Sequence, residues 1–289
     1  MKIRILASAL MLAVGLASAV DAQAQRRERS QFGEEDAIVL QPNRAYIFFR
    51  TPYRESYRFL REVTESERAA HEAAREAAYT RARTRAERRL REWQRNREAC
   101  GSGSIAPLCR QPRPDVPTPA TFPFAPPEAD NFVGNTFRPR LIHNEDWSGW
   151  LIAVEPGTYA LYGAISETQN GLMGTCFCMG SVRFEARAGE ITDMGEVLMV
   201  PESERGSPTA QNFRLGHYIT VAPWTSSMRT PQQFANLRVV PAQLRAADRM
   251  PNYFGVMITR LAPVEGVLAY NRDEVIDVRA GATAQGSGQ

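Results

Sequence analysis

Short apolar runs separated by turn-forming residues dominate residues 131–280. Residues 150–154 are followed by Pro156-Gly157 and then by a second run at 158–163, a pattern typical of two strands joined by a tight turn. Further runs lie at residues 181–186, 197–200, 218–221, 254–259 and 275–278, and short helices are predicted at 230–237 and 241–247. Many short strands at this spacing predict an antiparallel β-sandwich over residues 131–280.

Two apolar runs around a turn signal open the ordered part of the chain, within residues 37–53. Residues 37–40 and 45–49 flank Gln41-Pro42-Asn43, so we expect the first strands of the same β domain there. The polar stretch 25–36 before them and the small polar tail 281–289 are expected to be disordered.

Residues 54–99 contain no glycine or proline and are rich in alanine, arginine and glutamate. Weakly apolar residues recur at intervals of three and four, which predicts one long helix with a narrow apolar seam. The seam consists of Leu60, Val63, Ala70, Ala74, Ala77, Tyr79, Ala82, Ala86, Leu90 and Trp93. So narrow a seam predicts a helical arm that leans on a partner without being buried.

Residues 100–130 are expected to lead from the helix back to the β domain as a disulfide loop and a Pro-rich linker. Prolines recur from Pro107 to Pro127. Such segments are stiff and rise about 3.1 Å per residue, so this one can run back along most of the helix. The predicted fold class is therefore α+β, mainly β: an antiparallel β-sandwich with one long inserted α-helical arm and a Pro-rich extended return segment.

The first 24 residues have the three-part pattern of a secretory signal peptide. Lys2 and Arg4 precede an apolar run, and Ala22-Gln23-Ala24 places small residues where signal peptidase recognises its substrate. The run is short for a membrane span, which needs about 20 apolar residues. We therefore expect residues 1–24 to be removed and the mature protein to be periplasmic or otherwise extracytoplasmic.

The charge of the chain indicates no particular partner. It has 35 basic and 32 acidic residues, and removal of Lys2, Arg4 and Asp21 with the signal leaves 33 and 31. Export argues against a nucleic-acid partner. The sequence has no nucleophile elbow, zinc-binding helix motif or phosphate-binding glycine loop, so it favours a protein without enzymatic activity and without a cofactor.

Three stretches of the β region occur together: Pro156-Gly157-Thr158-Tyr159, residues 184–195 with glycines at 189 and 195, and residues 250–255 with 266–270. They resemble exported alphaproteobacterial proteins that have a small β-sandwich core and no known function. The resemblance implies a fold, and it carries no catalytic residue over to this chain.

Four cysteines in an exported protein predict disulfides. Cys100 and Cys109 bracket a short loop after the helix, which favours a bond between them. Cys176 and Cys178 share one face of a strand at a Cα spacing near the upper limit for a disulfide, so a bond between them needs a bend in the backbone. Crossed pairing between the two sets is the alternative.

The Cys176-Phe177-Cys178 segment also suggests chemistry. A strained disulfide is easily reduced, which is compatible with a thiol redox site. Met173 and Met179 lie close in sequence, and thiolates with thioethers are ligands that Cu(I) prefers. These four residues are the candidate metal ligands.

The three histidines, His71, His143 and His217, have no metal-ligand spacing between them. His71 falls on the polar helix and is expected to be solvated. His143-Asn144-Glu145-Asp146 suits an acid/base site in a cleft, and it equally suits a polar loop between strands.

The second half of the predicted helix is basic and is a candidate anion-binding surface. Its candidate residues are Arg81, Arg85, Arg88, Arg89, Arg91 and Arg95. An anionic lipid or polysaccharide surface would suit them, and a solvated face that complements the helix dipole is the alternative.

The favoured hypothesis is a binding or assembly module of the cell envelope without catalytic activity. Its partner would be an envelope protein or a second copy of the chain, bound through the helix. The alternatives are a thiol redox or copper-handling protein centred on Cys176 and Cys178, and a binder of an anionic membrane or polymer surface through the basic half of the helix.

Overall fold

The structure, a computed structural model, describes residues 31–53, 55–100, 107–136, 138–200 and 219–280. The predicted signal peptide, residues 25–30, His217 and the tail 281–289 lie outside the described residues. The chain forms two units. The helical unit runs from Val63 to Asn131, and the β unit combines the residues up to Glu62 with those from Phe132 onward.

The β unit contains two larger sheets and one hairpin. The first sheet comprises β1 (Ala45–Thr51), β4 (Ile142–His143), β5 (Ser148–Val154), β9 (Ile191–Met199), β10 (Ile219–Ala222) and β11 (Val239–Pro241). The second comprises β2 (Tyr57–Arg61), β3 (Phe132–Gly134), β6 (Gly157–Thr168), β7 (Gly171–Cys176), β8 (Ser181–Ala186), β12 (Arg245–Ala247) and β13 (Met257–Ile258). The hairpin is β14 (Leu268–Asn271) with β15 (Glu274–Asp277).

The expectation of antiparallel pairing holds for most strand pairs but not for all. β9 is parallel to both β1 and β11, and β13 is parallel to β7. The first of these pairs places β1 inside its sheet, between β5 and β9. Alternation of apolar residues identifies a strand but does not specify the direction of its neighbour, so the sequence pattern could not predict these pairs.

All seven residues of β1 are buried, and alternate side chains enter different core clusters. Ile47 and Phe49 belong to the largest cluster, and Phe48 belongs to a second cluster. The largest cluster also includes Phe59 of β2 and Phe184 of β8, so it receives side chains from both larger sheets. The ring centroids of Phe49 and Phe59 are 5.4 Å apart.

A buried ion pair joins β1 to β9. Arg50 donates two hydrogen bonds to Asp193, with Nη1–Oδ1 and Nη2–Oδ2 distances of 2.9 and 2.8 Å, and the two side chains are 2% and 0% exposed. The Gly195 N–H also donates to Asp193, and the Arg50 guanidinium lies 4.7 Å from the centroid of the Phe48 ring. Burial raises the pKa of the Asp193 carboxyl, and its bonds with Arg50 and Gly195 oppose that rise.

Gly195 follows this pair in a backbone conformation with φ of 93°, which favours glycine. A Cβ at this position would collide with the carbonyl oxygen of Ala222 in β10. Gly195 therefore has two roles: it allows the close approach of β10, and its N–H donates a hydrogen bond to the Asp193 carboxylate.

Helix α1 spans Glu65–Ala99, which confirms one long helix, but the predicted start at residue 54 is wrong. Residues 57–61 form β2 because Tyr57 and Phe59 alternate into the core. Thr64 caps the helix: its Oγ1 accepts from the Glu67 N–H, and the Glu67 carboxylate accepts from the Thr64 N–H. This Thr-x-x-Glu capping box was readable in the sequence and marks where the helix begins.

The apolar seam of α1 also differs from the prediction in its first half. Ala70, Ala74 and Ala77 are exposed, whereas His71 and Arg75 are half-buried. Alanine gives a weak periodic signal because it is common on every face of a helix. In the second half the predicted seam holds, since Tyr79 and Ala86 are buried and Ala82, Leu90 and Trp93 are half-buried.

The segment that follows α1 accepts hydrogen bonds from the seam side of the helix through its backbone carbonyls. The bonds are Arg97 Nη1 to Cys109 O at 2.6 Å, Trp93 Nε1 to Gln111 O at 2.8 Å and Arg75 Nη2 to Pro119 O at 2.7 Å, with His71 Nε2 at 2.8 Å from Ala125 O. Because these contacts proceed backward along α1, the segment returns toward the start of the helix.

Three shorter predictions also need correction. Gln31 and Phe32 are ordered, because Gln31 bridges to Ile152 and the Phe32 ring packs 5.9 Å from that of Tyr46. Residues 37–40 form no strand, although Ile38 and Leu40 pack against the second core cluster. The predicted helices reduce to one 3-10 turn at Gln232–Phe234, and β12 occupies part of 241–247.

Replacement of Asp193 by alanine is expected to lower the free energy of unfolding of the β unit by about 3–5 kcal/mol. It leaves the Arg50 charge buried without a carboxylate, since the Arg229 carbonyl that Arg50 Nη2 also contacts, at 3.3 Å, is neutral. Urea denaturation measures the loss. Glu185→Ala, which breaks the exposed Glu185–Arg187 pair, is the matched control and should change stability little. A loss no larger than that of the control would show that the buried pair is not a determinant of stability.

A candidate anion-binding face on the helical unit

The basic half of α1 carries five arginines on one face. At about 100° per residue, Arg81, Arg85, Arg88, Arg91 and Arg95 fall within an arc of about 120° and extend over about 21 Å of helix. All five side chains are exposed, and Tyr79 and Ala86 occupy the opposite side. We call these five residues the arginine stripe. Arg89 is also exposed but projects outside the arc.

Other arginines of the helical unit form ion pairs, whereas the arginine stripe forms none with the residues that the structure describes. Arg75 lies 4.0 Å from Glu72, and Arg83 lies 2.8 Å from Glu87. Within the part of the chain that the structure describes, no stripe guanidinium has a carboxylate within 4.0 Å, even though Glu92 falls in the same arc. Between described residues, the one hydrogen bond from a stripe side chain is to backbone, from Arg85 Nε to Arg81 O at 3.3 Å.

Repulsion within the stripe opposes helix formation. Its members follow each other at spacings of three or four residues, at which like charges destabilise a helix by about 0.2–0.5 kcal/mol per pair. The helix dipole favours cations only within the last turn, and of the basic residues only Arg97 lies there. The five arginines of the stripe therefore do not stabilise the helix, and their arrangement needs another explanation.

A shallow groove of about 330 Å³ lies at the C-terminal part of the stripe. It is lined by Arg88, Arg91, Gln94, Arg95 and Glu98. The groove thus combines three guanidinium groups, one amide and one carboxylate on an exposed helix surface. Such a set can donate several hydrogen bonds to an oxyanion and also accept hydrogen bonds from a ligand.

This face of α1 lacks the large apolar side chains with which amphipathic helices enter a lipid bilayer. Leu90 and Trp93 lie on the seam side instead, where Trp93 bonds to Gln111. Among the described residues, no helix is both long and apolar enough to cross a membrane.

Both predicted disulfides are present. Cys100 pairs with Cys109 at a Cα separation of 5.9 Å, and Cys176 pairs with Cys178 at 5.1 Å. Phe177 between the latter two enters the largest core cluster, whereas Cys176 and Cys178 enter a third cluster on the other face. The crossed pairing is therefore not what the structure shows.

The Cys176–Cys178 bond is covered by an aromatic cluster. The two cysteines are 0% and 3% exposed, and the Cys178 sulfur lies 3.6 Å from the Tyr162 hydroxyl. Tyr162 donates to Pro251 O at 2.9 Å and accepts from the Tyr253 N–H at 2.8 Å. Burial raises the pKa of the Tyr162 hydroxyl.

The methionines proposed as copper ligands do not converge with this bond. Met173 pairs with Ser166 in the regular β6–β7 register, which places it on the strand face opposite to Cys176, and it is 60% exposed. Met179 lies in the turn that follows, where its N–H donates to Thr259 O. In the described ranges no group of three or more His, Cys, Asp or Glu side chains is arranged to hold a metal ion.

His71 is not solvated as predicted, because its ring contacts Phe124 and Ala125. His143 forms a small cluster that the sequence did not predict: its Nδ1 lies 3.0 Å from both the Ser148 hydroxyl and Arg140 Nη1. Asn144 Oδ1 accepts from the backbone of residues 146 and 147, so the segment is a turn between β4 and β5.

Comparison of the chain with protein-family models, with curated proteins and with solved structures finds no match. The function must therefore be inferred from the residues themselves.

Burial of Cys176 and Cys178 predicts unequal reactivity of the two disulfides. When the native protein is treated with mild reductant and an alkylating agent, Cys100 and Cys109, which are half-buried, should be modified first, and Cys176 and Cys178 only on unfolding. Peptide mass spectrometry measures both rates. Rapid native modification of Cys176 and Cys178 would instead support an accessible redox centre.

Proposed function

We propose that this protein is a non-catalytic binding module of the cell envelope, and that its helical unit binds an anionic partner through the arginine stripe. The observation that carries the proposal is the set of five exposed guanidinium groups without an ion pair among the described residues. Unpaired charges of one sign along a rigid element attract and orient a partner of opposite charge.

In this proposal the β unit is a scaffold in which the two larger sheets face each other as a β-sandwich. The core cluster that combines Phe49, Phe59 and Phe184 supports that arrangement. The Pro-rich segment is proposed to be an extended return strand that holds the seam of α1, which keeps the stripe on the free side of the helix. The seam therefore serves the helical unit itself rather than a separate partner protein.

We infer an extracytoplasmic location, most simply the periplasm, from the signal pattern in residues 1–24. Two disulfides are compatible with an oxidising compartment. An envelope protein or a second copy of the chain remains a partner that this location would allow. A nucleic acid is not proposed, because an exported protein does not normally meet one.

A thiol redox or copper-handling function has less support. Exchange and copper binding both need accessible sulfur atoms, and Cys176 and Cys178 are bonded to each other and buried beneath Tyr162. The histidine cluster has less support as an acid/base site, since Arg140 and Ser148 both approach the same ring nitrogen.

Charge reversal tests the proposal. Arg88→Glu together with Arg91→Glu should reduce the affinity for an anionic polymer at least tenfold at low salt, and raising the salt concentration should weaken the wild-type complex. Fluorescence anisotropy with labelled polyphosphate measures both effects. The control variant R183E/R187E has the same net charge but alters the β unit, and it should retain most of the affinity. If both variants lose the same affinity, the effect depends on net charge alone, and the proposal of a specific binding face is contradicted.

A further inference from the structure

We propose that the ligand of the arginine stripe is an acidic polysaccharide, and that one of its sugar units occupies the groove formed by Arg88, Arg91, Gln94, Arg95 and Glu98. This inference rests on the proposed function and specifies its ligand class. The ligand must carry both anionic groups and hydroxyl groups, because the groove contains partners for each.

Glu98 is the residue that distinguishes this ligand from a simple polyanion. A carboxylate beside three guanidinium groups weakens the attraction for any anion. Glu98 also lies in the last turn of α1, where the helix dipole disfavours a negative charge. Among the described residues it forms no ion pair that would offset these costs. A hydrogen-bond acceptor at this point is useful when the ligand brings hydroxyl donors.

The remaining groups of the groove suit an acidic sugar. Arg88, Arg91 and Arg95 offer planar donors that bind carboxylate or sulfate groups through paired hydrogen bonds. Gln94 can donate to a ring oxygen or a hydroxyl of the sugar and accept from a second hydroxyl. A sugar hydroxyl can donate to Glu98. The groove then offers a partner for the anionic group and for the hydroxyl groups of the ligand.

The shape of the stripe favours a linear polymer over a lipid surface. Its five guanidinium groups follow a straight helix for about 21 Å, with successive members about 5 Å apart along the axis. A helix that lies on a bilayer inserts apolar side chains, and on this helix Leu90 and Trp93 are directed to the seam side. A flexible chain of charged sugars can follow such a stripe without insertion.

Removal of the Glu98 carboxylate should change the affinity for polygalacturonate and the affinity for polyphosphate in opposite directions. With polygalacturonate, which carries carboxylates and hydroxyls, Glu98→Ala should weaken binding by about threefold to tenfold through the lost hydrogen bond. With polyphosphate, which has no hydroxyl groups along its chain, the same variant should bind more tightly because a repulsive charge is gone. Glu98→Gln retains an acceptor and should bind polygalacturonate at least as well as the wild type.

Glu92→Ala is the matched control, since Glu92 is an exposed acid of the same arc that does not line the groove. It should strengthen the binding of both polymers. If E98A also strengthens polygalacturonate binding, Glu98 is only a repulsive charge and the inference fails, while the loss in R88E/R91E still upholds the anion-binding face. Binding of anionic phosphatidylglycerol vesicles without polygalacturonate binding would overturn the inference in favour of a membrane. If the wild type binds neither polymer nor vesicles, the proposed function itself fails.

Discussion

The buried pair between Arg50 and Asp193 is the constraint on which the β unit depends. A charge in the interior is tolerated only when it has hydrogen-bond partners, so the two bonds that the guanidinium donates to Asp193 constrain the position of β1 relative to β9. Gly195 links this site to β10, because its N–H bonds the carboxylate and its lack of a Cβ admits Ala222. The parallel pairing of β1 with β9 is thus stabilised by the buried ion pair as well as by the burial of apolar side chains.

The helical unit has a different construction, because it has little core of its own. Its seam is held by ring contacts such as Tyr79 with Phe122 and by side-chain bonds to backbone carbonyls of the return segment. Carbonyls of a proline-rich segment are free to accept, since such segments form few internal hydrogen bonds. This side of the helix therefore needs hydrogen-bond donors as well as apolar groups, which explains why Arg75 and Trp93 lie there. On the opposite face, the side chains of the arginine stripe are exposed in the part of the chain that the structure describes.

The sequence predicted those features that local chemistry determines. The helix, both cysteine pairs and several strands follow from periodicity and spacing, and β8 matches its predicted residues 181–186. The start of α1 differs from the prediction because the capping box at Thr64 begins the helix, and no glycine or proline marks that point. The pairing of β1 with β9 depends on contacts between distant residues, which no local pattern encodes. The basic half of the helix was visible in the sequence, but only the structure shows that the arginine stripe forms no ion pair with a described residue.

If an anionic polymer binds on one face of α1, arginine footprinting should locate that face. The only lysine of the chain is Lys2, so phenylglyoxal labelling of arginine followed by peptide mass spectrometry covers every other Lys or Arg side chain. With polygalacturonate bound, we expect Arg183 and Arg187 on the β unit to remain labelled. The residues expected to be protected are Arg81, Arg85, Arg88, Arg91 and Arg95. Protection confined to the β unit, or spread evenly over all exposed arginines, would contradict this expectation.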